Sequence, residues 1–513
     1  MTQKQLPIKY FEEKRSNKIT NYGGVFPLLE LISQMRIFEF SDTHLNVRSG
    51  SQGWLDSHHF LSIFLINFIG GDCVSDVEIL ESDPGLTDAM QRIESGILNK
   101  CKKFISDRFR KGRQRIFPSD KALHDYALCF HNEAEEKRRP EHKAFIPSPN
   151  ENLQKLNKLF KRITDFVQVN NPQHSATVDV DAVICPSNKR TSFFSYKKEK
   201  GYQPLNAYWH EQGTLLFSEF RDGNVNANYR VPEFVKEAFS NVPEQITKRY
   251  LRMDSAGYNF ELMEYCDRNK IGFSISASLC KSLKSEIQMV ADEEWKKISL
   301  REEQILKRAR DARRAAEEEY GWEWVELPYI PDDPSGDKYR YIAIRSKLIT
   351  QKELFEFPGI EREESDGDKE EMSKKQYEKD GITYRIRVIV SNREGVDGER
   401  LFHWHNKRCG YSEHVHSVMK NDLCGGQFPS SKFGANAFWW LMMIFSLNIL
   451  QIYKSVILGG SWRTRRLKAF RLHFIYVAGR ITRRARYIHM YLKNNEIFNE
   501  IREKILRLKW VPI

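Results

Sequence analysis

Residues 176–182 read Ala-Thr-Val-Asp-Val-Asp-Ala, a run short enough to be one strand and too regular to be a loop. Successive side chains of a strand point to opposite faces, so Thr177, Asp179, Asp181 and Val183 share one face while Ala176, Val178, Val180 and Ala182 share the other. Two carboxylates therefore project together from a strand whose back is apolar. An acid in a central strand is costly when desolvated and unpaired. The pair asks for a metal or a cationic partner, unless it lies at a solvated strand edge.

The surroundings of this strand suggest its sheet. Upstream, Leu156, Leu159, Phe160 and Ile163 recur at helical spacing in a helix from Leu153 to about Val167, and Asn170-Asn171-Pro172 marks a new domain. Downstream come strand-like runs at 205–210 and 214–220, a helix at 231–242, a strand at 248–253, a helix at 260–269 and a strand at 272–278. Three strands, helix, strand, helix, strand is the layout of a ribonuclease H-like α/β sheet, with three antiparallel strands preceding parallel ones joined by crossover helices. Many α/β domains share such an order, and a fold alone licenses no function.

Two further acids stand where chemistry is expected. Asp254 ends the strand 248–253 in Arg-Met-Asp-Ser-Ala-Gly-Tyr, and strand ends of α/β sheets gather ligands. An Asp there also serves as a helix N-cap. Glu413 heads Ser-Glu-His-Val-His, and on a helix Glu413, His416, Ser417 and Lys420 share a face. Glu413 is placed to ligate a metal and Lys420 to hold a neighbouring phosphate, against the plainer reading of a surface ion pair.

The remaining sequence surrounds this core with charge. From 281 to 319 the chain is charge-dense and helix-prone, and strand-like runs at 322–330, 339–349 and 382–391 are separated by Pro-Asp-Asp-Pro at 331–334 and a polar, acidic run at 361–380, together resembling an insertion. The first 150 residues read as helical. They hold a basic segment, Lys102, Lys103, Arg108, Arg110, Lys111, Arg113 and Arg115, interleaved with Phe104, Phe109 and Phe117. It reads either as a phosphate grip or as a solvated face with its aromatics turned inward. The tail carries Arg463, Arg465, Arg466, Lys468, Arg471, Arg480, Arg483, Arg484 and Arg486, broken by aromatic residues. The apolar stretch 438–458 is interrupted by Asn448, Gln451 and Lys454, so a buried helix is expected and no membrane span.

Across 513 residues the formal net charge is +12, a field that attracts polyanions. The length suggests several folding units. Eight cysteines without a Cys-x-x-Cys pair suit a reducing compartment. The first residues, MTQKQLPIKYFEEKRSN, hold no signal-like apolar run, so a cytoplasmic location is expected.

In combination and order, several short segments resemble the DDE group 1 transposases of bacterial insertion sequences, especially the insertion sequence 1380 family. They are Thr-Val-Asp-Val-Asp-Ala at 177–182, Ser-Tyr-Lys at 195–197, Gly-Tyr-Gln-Pro-Leu at 201–205 and Glu-Phe-Arg-Asp-Gly-Asn at 219–224. Arg-Met-Asp-Ser-Ala at 252–256, Arg-Cys-Gly-Tyr-Ser-Glu at 408–413, Lys-Asn-Asp-Leu at 420–423 and Gly-Ala-Asn-Ala-Phe-Trp at 434–439 complete the set. The resemblance implies a catalytic and metal-binding triad of Asp181, Asp254 and Glu413. The small residue that follows the first acid in the family favours Asp181, with Asp179 as the alternative. It also implies two Mg2+ ions, Mn2+ as substitute, and metal-dependent cleavage of transposon ends followed by transfer of the 3′-hydroxyls. The implied partners are double-stranded DNA, as terminal inverted repeats and target, and a second copy in a homodimeric synaptic complex. The wider signature is Tyr, two residues, Arg, three residues, Glu, six residues, Lys. Lys420 fits it as a DNA contact, but Cys409 occupies the Arg position and Asn406 the Tyr position, so Arg408, one residue earlier, must take the Arg role.

The expected architecture is α/β: a helical N-terminal DNA-binding domain (1–170), a ribonuclease H-like catalytic domain (171–280 and 400–460), an inserted charged helix and β-rich domain (281–399), and a basic helical C-terminal tail (461–513). Three rivals remain. A zinc site from His403, His405, Cys409, His414 and His416 lacks a tetrahedral spacing pattern. A domesticated DNA-binding protein without cleavage would not need the three acids. A tyrosine recombinase or relaxase would need an Arg/His set around a Tyr that the sequence does not assemble.

Overall fold

A computed structural model describes residues 18–48, 53–97, 115–140, 143–299, 321–329, 331, 339–347, 376–408, 411–423, 427–484, 487–493 and 495–511. The chain forms two compact units: a helical unit of 1–138, 147–170 and 418–513, and a sheet unit of 139–146 and 171–417.

The sheet unit is built on β1 (Ser175–Ala182), β2 (Leu205–Trp209), β3 (Thr214–Glu219), β4 (Lys248–Met253) and β5 (Ile271–Ser276). β1 pairs antiparallel with β2 and β2 with β3, whereas β1 pairs parallel with β4 and β4 with β5. Their spatial order is β3-β2-β1-β4-β5. Helix Val231–Ser240 connects β3 to β4, and helix Phe260–Arg268 connects β4 to β5. The second is capped by the Asn259 side chain, which accepts from the Leu262 amide. Strand order and senses are those expected from the periodicity. β1 is central, with Ala176, Thr177, Val178, Asp179 and Val180 all buried. Its two acids are thus not on a solvated sheet edge.

The expected inserted domain differs. Beyond β5 the sheet continues through β6 (Lys296–Lys297), β7 (Trp322–Leu327), β8 (Arg340–Lys347), β9 (Gln376–Lys379) and β10 (Ile382–Ser391). β10 pairs antiparallel with β5 at Ile389–Ser276, Val390–Ile275 and Ser391–Ser274, so these strands extend one ten-stranded sheet. Unpaired, β5 would present a row of open amides and carbonyls, which β10 closes. Ile298, Trp324, Ile342, Ile344, Ile389, Leu401 and Phe402 form the core under this extension. Residues 376–379 of the acidic run are β9; its residues 361–375, like 300–319 of the charge-dense, helix-prone stretch, lie outside the described residues.

The helical unit is organised by helix Phe433–Ile452, which packs against Val25–Gln34, Asp56–Ile69, Asp120–Leu128 and Glu151–Asn170. Phe438 stacks on Phe130 with ring centroids 4.2 Å apart, and Asn67 donates to Ser446 Oγ at 2.9 Å. With its continuation to Leu458 this helix is long and apolar enough to cross a membrane, yet most of it is buried within the protein. A helix apolar all round needs apolar neighbours all round. That explains why 418–460 joins the helical unit, rather than the catalytic domain expected from the sequence. The tail also departs from the expected helix: Gly479–Arg484 and Tyr487–Leu492 form an antiparallel ribbon, which Ile19–Thr20 joins along one edge. The basic segment lies outside the described residues from Lys102 to Arg113. At its end, Arg115 pairs with Glu78 at 2.7 Å and Phe117 is buried.

Candidate active site

The parallel register of β1 and β4 places Asp179 opposite Arg252 and Val180 opposite Met253. On one face, Asp179 receives Arg252 Nε at 2.6 Å and Nη2 at 2.7 Å, both side chains being fully enclosed. The third guanidinium nitrogen of Arg252 donates to the Trp404 carbonyl at 2.7 Å, and the guanidinium carbon lies 5.2 Å from the Trp404 ring centroid. His210 Nδ1 stands 3.4 Å from Asp179. Burial pushes the Asp179 carboxyl up, but His210 and Arg252 outweigh burial and hold it below the usual carboxylate range. Asp179 is thus the cationic-partner solution to the problem posed by its strand.

Asp181 and Asp254 each follow the last paired couple of this ladder, Val180 and Met253, by one residue. Adjacent strands run about 5 Å apart, so these carboxylates leave neighbouring strand ends together. Asp181 retains 24% side-chain exposure, accepts from the Ala182 amide at 3.0 Å and has Arg408 Nη1 at 3.9 Å. Asp254 is half-buried and caps the turn Ser255–Gly257, accepting from the Ala256 amide at 3.0 Å. The tight turn relies on Gly257, where a Cβ would come within 2.7 Å of Met253. Asp254 has the capping role that the sequence left open beside a catalytic one, and its partial exposure is compatible with both.

Of the residues selected from the sequence, Arg408 stands beside Asp181, and Asp254 follows the end of the neighbouring strand. Glu413 lies on helix Tyr411–Asn421, but its side chain is outside the described residues, as is Cys409. Lys420 is in the last turn of that helix and exposed. Among the described residues no group of three or more His, Cys, Asp or Glu side chains is arranged to hold a metal ion. Asp181 and Asp254 nonetheless offer the chemistry a hard divalent cation requires, carboxylate oxygens that are partly open to solvent.

Two histidines of the zinc alternative have other work. His405 is buried with Nδ1 2.7 Å from Ser274 Oγ and Nε2 3.1 Å from Ser276 Oγ. Burial, with the charges of Arg408 and Arg252, pushes its pKa down to about 3, so the ring is neutral. His403 Nε2 meets the Ser299 carbonyl at 2.9 Å. These contacts tie helix Gly398–Asn406 to β5 and to the chain after β6, and so position Arg408. Sequence reading missed Arg252 and Trp404, and offered His405 only as a zinc ligand. The sequence signal for Arg252 was only a basic residue inside a strand-like run; its partner Asp179 follows from the register of β1 and β4.

The family described as transposase DDE domain group 1 matches residues 13–325, more than half of the chain. No curated protein matches. Among solved structures, a cryo-EM structure of a piggyBac transposase synaptic complex with hairpin DNA is similar at 10% identity and a TM-score of 0.44, over 94% of this chain and 82% of that one. On the family match, this chain belongs to the transposase DDE domain group 1 family.

Proposed function

We propose that this protein is a DNA transposase that binds the ends of its insertion sequence, cleaves them by metal-dependent phosphodiester hydrolysis and joins the 3′-hydroxyl ends to target DNA. The observation that carries the reading is that Asp181 and Asp254 each follow by one residue the last registered couple of two adjacent parallel strands, Val180 and Met253, in a sheet ordered β3-β2-β1-β4-β5. Asp181, Asp254 and Glu413 would hold the divalent cations, magnesium with manganese as substitute. Bound there, such ions activate the attacking oxygen and stabilise the leaving one in an in-line displacement at phosphorus. Asp179 keeps Arg252 neutralised behind the site, Arg408 supplies positive charge beside Asp181, and Lys420 contacts the DNA backbone. The partners are double-stranded DNA, at terminal repeats and target, and a second copy of the chain in the synaptic complex. The cytoplasm is the compartment that fits these partners.

The test is cleavage of an end fragment in magnesium. Asp181→Asn, Asp254→Asn and Glu413→Gln should each abolish cleavage and retain gel-shift binding of the same fragment. Lys420→Ala should weaken binding and keep some cleavage at high protein concentration. A wild-type chain that binds ends and never cuts them would favour the domesticated DNA-binding reading. Wild-type cleavage by Glu413→Gln would remove that residue from the site.

A further inference from the structure

The ribbon in the helical unit has two chemically distinct faces. Its register pairs Arg480 with Tyr491, Thr482 with His489 and Arg484 with Tyr487, so these six side chains share one face. Arg480, Arg484, Tyr487, His489 and Tyr491 are exposed, Tyr487 by 73%, and the Arg480 guanidinium lies 4.6 Å from the Tyr491 ring centroid. The opposite face is anchored: Ile481 is buried, and Arg483 reaches Asp88 at 2.8 Å and Gln91 at 3.1 Å. A firmly held ribbon thus turns arginine, histidine and tyrosine to solvent.

The sequence around it has an extreme charge bias. Between Asp422 and Glu496 there is no Asp or Glu, against twelve Lys and Arg. The exposed face therefore complements a polyanion. Its shape narrows the choice. Two strands about 5 Å apart and roughly 20 Å long fit the major groove of B-form DNA, about 12 Å wide, which admits a two-stranded ribbon. Arginine makes bidentate contacts to guanine O6 and N7 there, whereas tyrosine hydroxyls suit phosphates. The deep, narrow major groove of an RNA duplex excludes such a ribbon.

We propose that this face enters the major groove of duplex DNA at the element's ends, with Arg480, Arg484 and His489 reading base edges and Tyr487 and Tyr491 contacting the flanking phosphates. The inference rests on the transposase reading above and adds to it a sequence-reading element.

The experiment compares binding of the full chain to a duplex carrying the element's end sequence, to a shuffled duplex of equal length, and to an RNA duplex of the end sequence. The wild type should prefer the end duplex. Arg480→Ala with Arg484→Ala should lose roughly 10- to 100-fold on that duplex and little on the shuffled one. Arg480→Lys, which keeps the charge and loses the fork, should reduce the preference in the same direction. Methylation of guanine N7 in the end duplex should interfere with wild-type binding and less with the double variant. Thermal unfolding of each variant at the wild-type temperature establishes that the ribbon is intact. An unchanged preference in a folded double variant would overturn the ribbon proposal and leave the transposase reading standing. Equal affinity for the RNA duplex would also overturn it. A wild type with no preference for end DNA would sink both.

Discussion

Asp179 and Asp181 share a strand face and are separated by one residue, yet their environments assign them opposite tasks. Asp179 has spent both oxygens on a fully enclosed arginine, whereas Asp181 stays partly open beside Asp254 and Arg408. Removing one member of a buried ion pair typically costs about 3–5 kcal/mol, because the other charge is stranded. Asp179→Ala should therefore lower unfolding stability by about that amount in urea titrations, and Asp181→Asn should leave it nearly unchanged while cleavage is lost. Equal stability of the two variants would contradict the division. A second pair of residues predicts a pH effect. In the helical unit, burial pushes the Asp56 carboxyl up to about 6 and pushes the His59 imidazole down to about 3. The raised acid favours the fold most below its unfolded value near 3.8, and this contribution is lost as pH rises through 6. The depressed imidazole contributes fully above its unfolded value of 6.5 and loses stability as pH falls toward 3. Between pH 4 and 6 the two slopes oppose each other. Asp56→Asn should unmask a stability that rises with pH across that window, and His59→Phe, which keeps a ring against Tyr126, one that falls. Parallel pH profiles for the two variants would refute the assignment.

At the scale of elements, what was legible in the sequence was local. Alternation located β1 and the apolar runs located β2 to β5, while Ser119, a residue type suited to an N-cap, caps helix Asp120–Leu128 by accepting from the Ala122 amide. Pairing over long distance was not legible. Nothing in residues 382–391 states that they will close the open edge of β5 more than a hundred positions earlier, and the arginines of 479–492 hid a ribbon inside what resembled a basic helix. The site followed the same division: Asp181 and Asp254 were readable from strand patterns, while Arg252 acquires its meaning only once β1 and β4 are in register. Packing between elements carries a test of its own at Gly434. A Cβ there would fall 2.4 Å from both His131 Cα and the Phe130 carbonyl oxygen, and backbone atoms cannot step aside as a flexible side chain can. Gly434→Ala should therefore push helix Phe433–Ile452 off the end of helix Asp120–Leu128 and cost roughly 1–3 kcal/mol in urea unfolding. A variant as stable as the wild type would show that the two segments do not meet so closely.

For the whole molecule, the order of the chain and the order of its units disagree. The helical unit is assembled from 1–138, 147–170 and 418–513, so its central helix is made only after the entire sheet unit has been synthesised. Until Phe433–Ile452 arrives, Val25–Gln34, Asp56–Ile69 and Glu151–Asn170 lack the one helix that packs against all three, and amphipathic helices draw most of their stability from such packing. The sheet unit, by contrast, is nearly contiguous and has its own core around β1 and β4. Truncation after Ser417 should therefore have unequal effects. Amide hydrogen exchange should show protection lost through 56–69 and 151–170 and kept in β1, β4 and β5, and the truncated chain should bind dyes that report exposed apolar surface. If the N-terminal residues folded as an independent DNA-binding domain, as the sequence alone suggested, protection at 56–69 would survive the truncation. That result would also detach the ribbon from the fold of the helical unit, because the ribbon's anchors, Ile19–Thr20 and Asp88, belong to the same N-terminal segment.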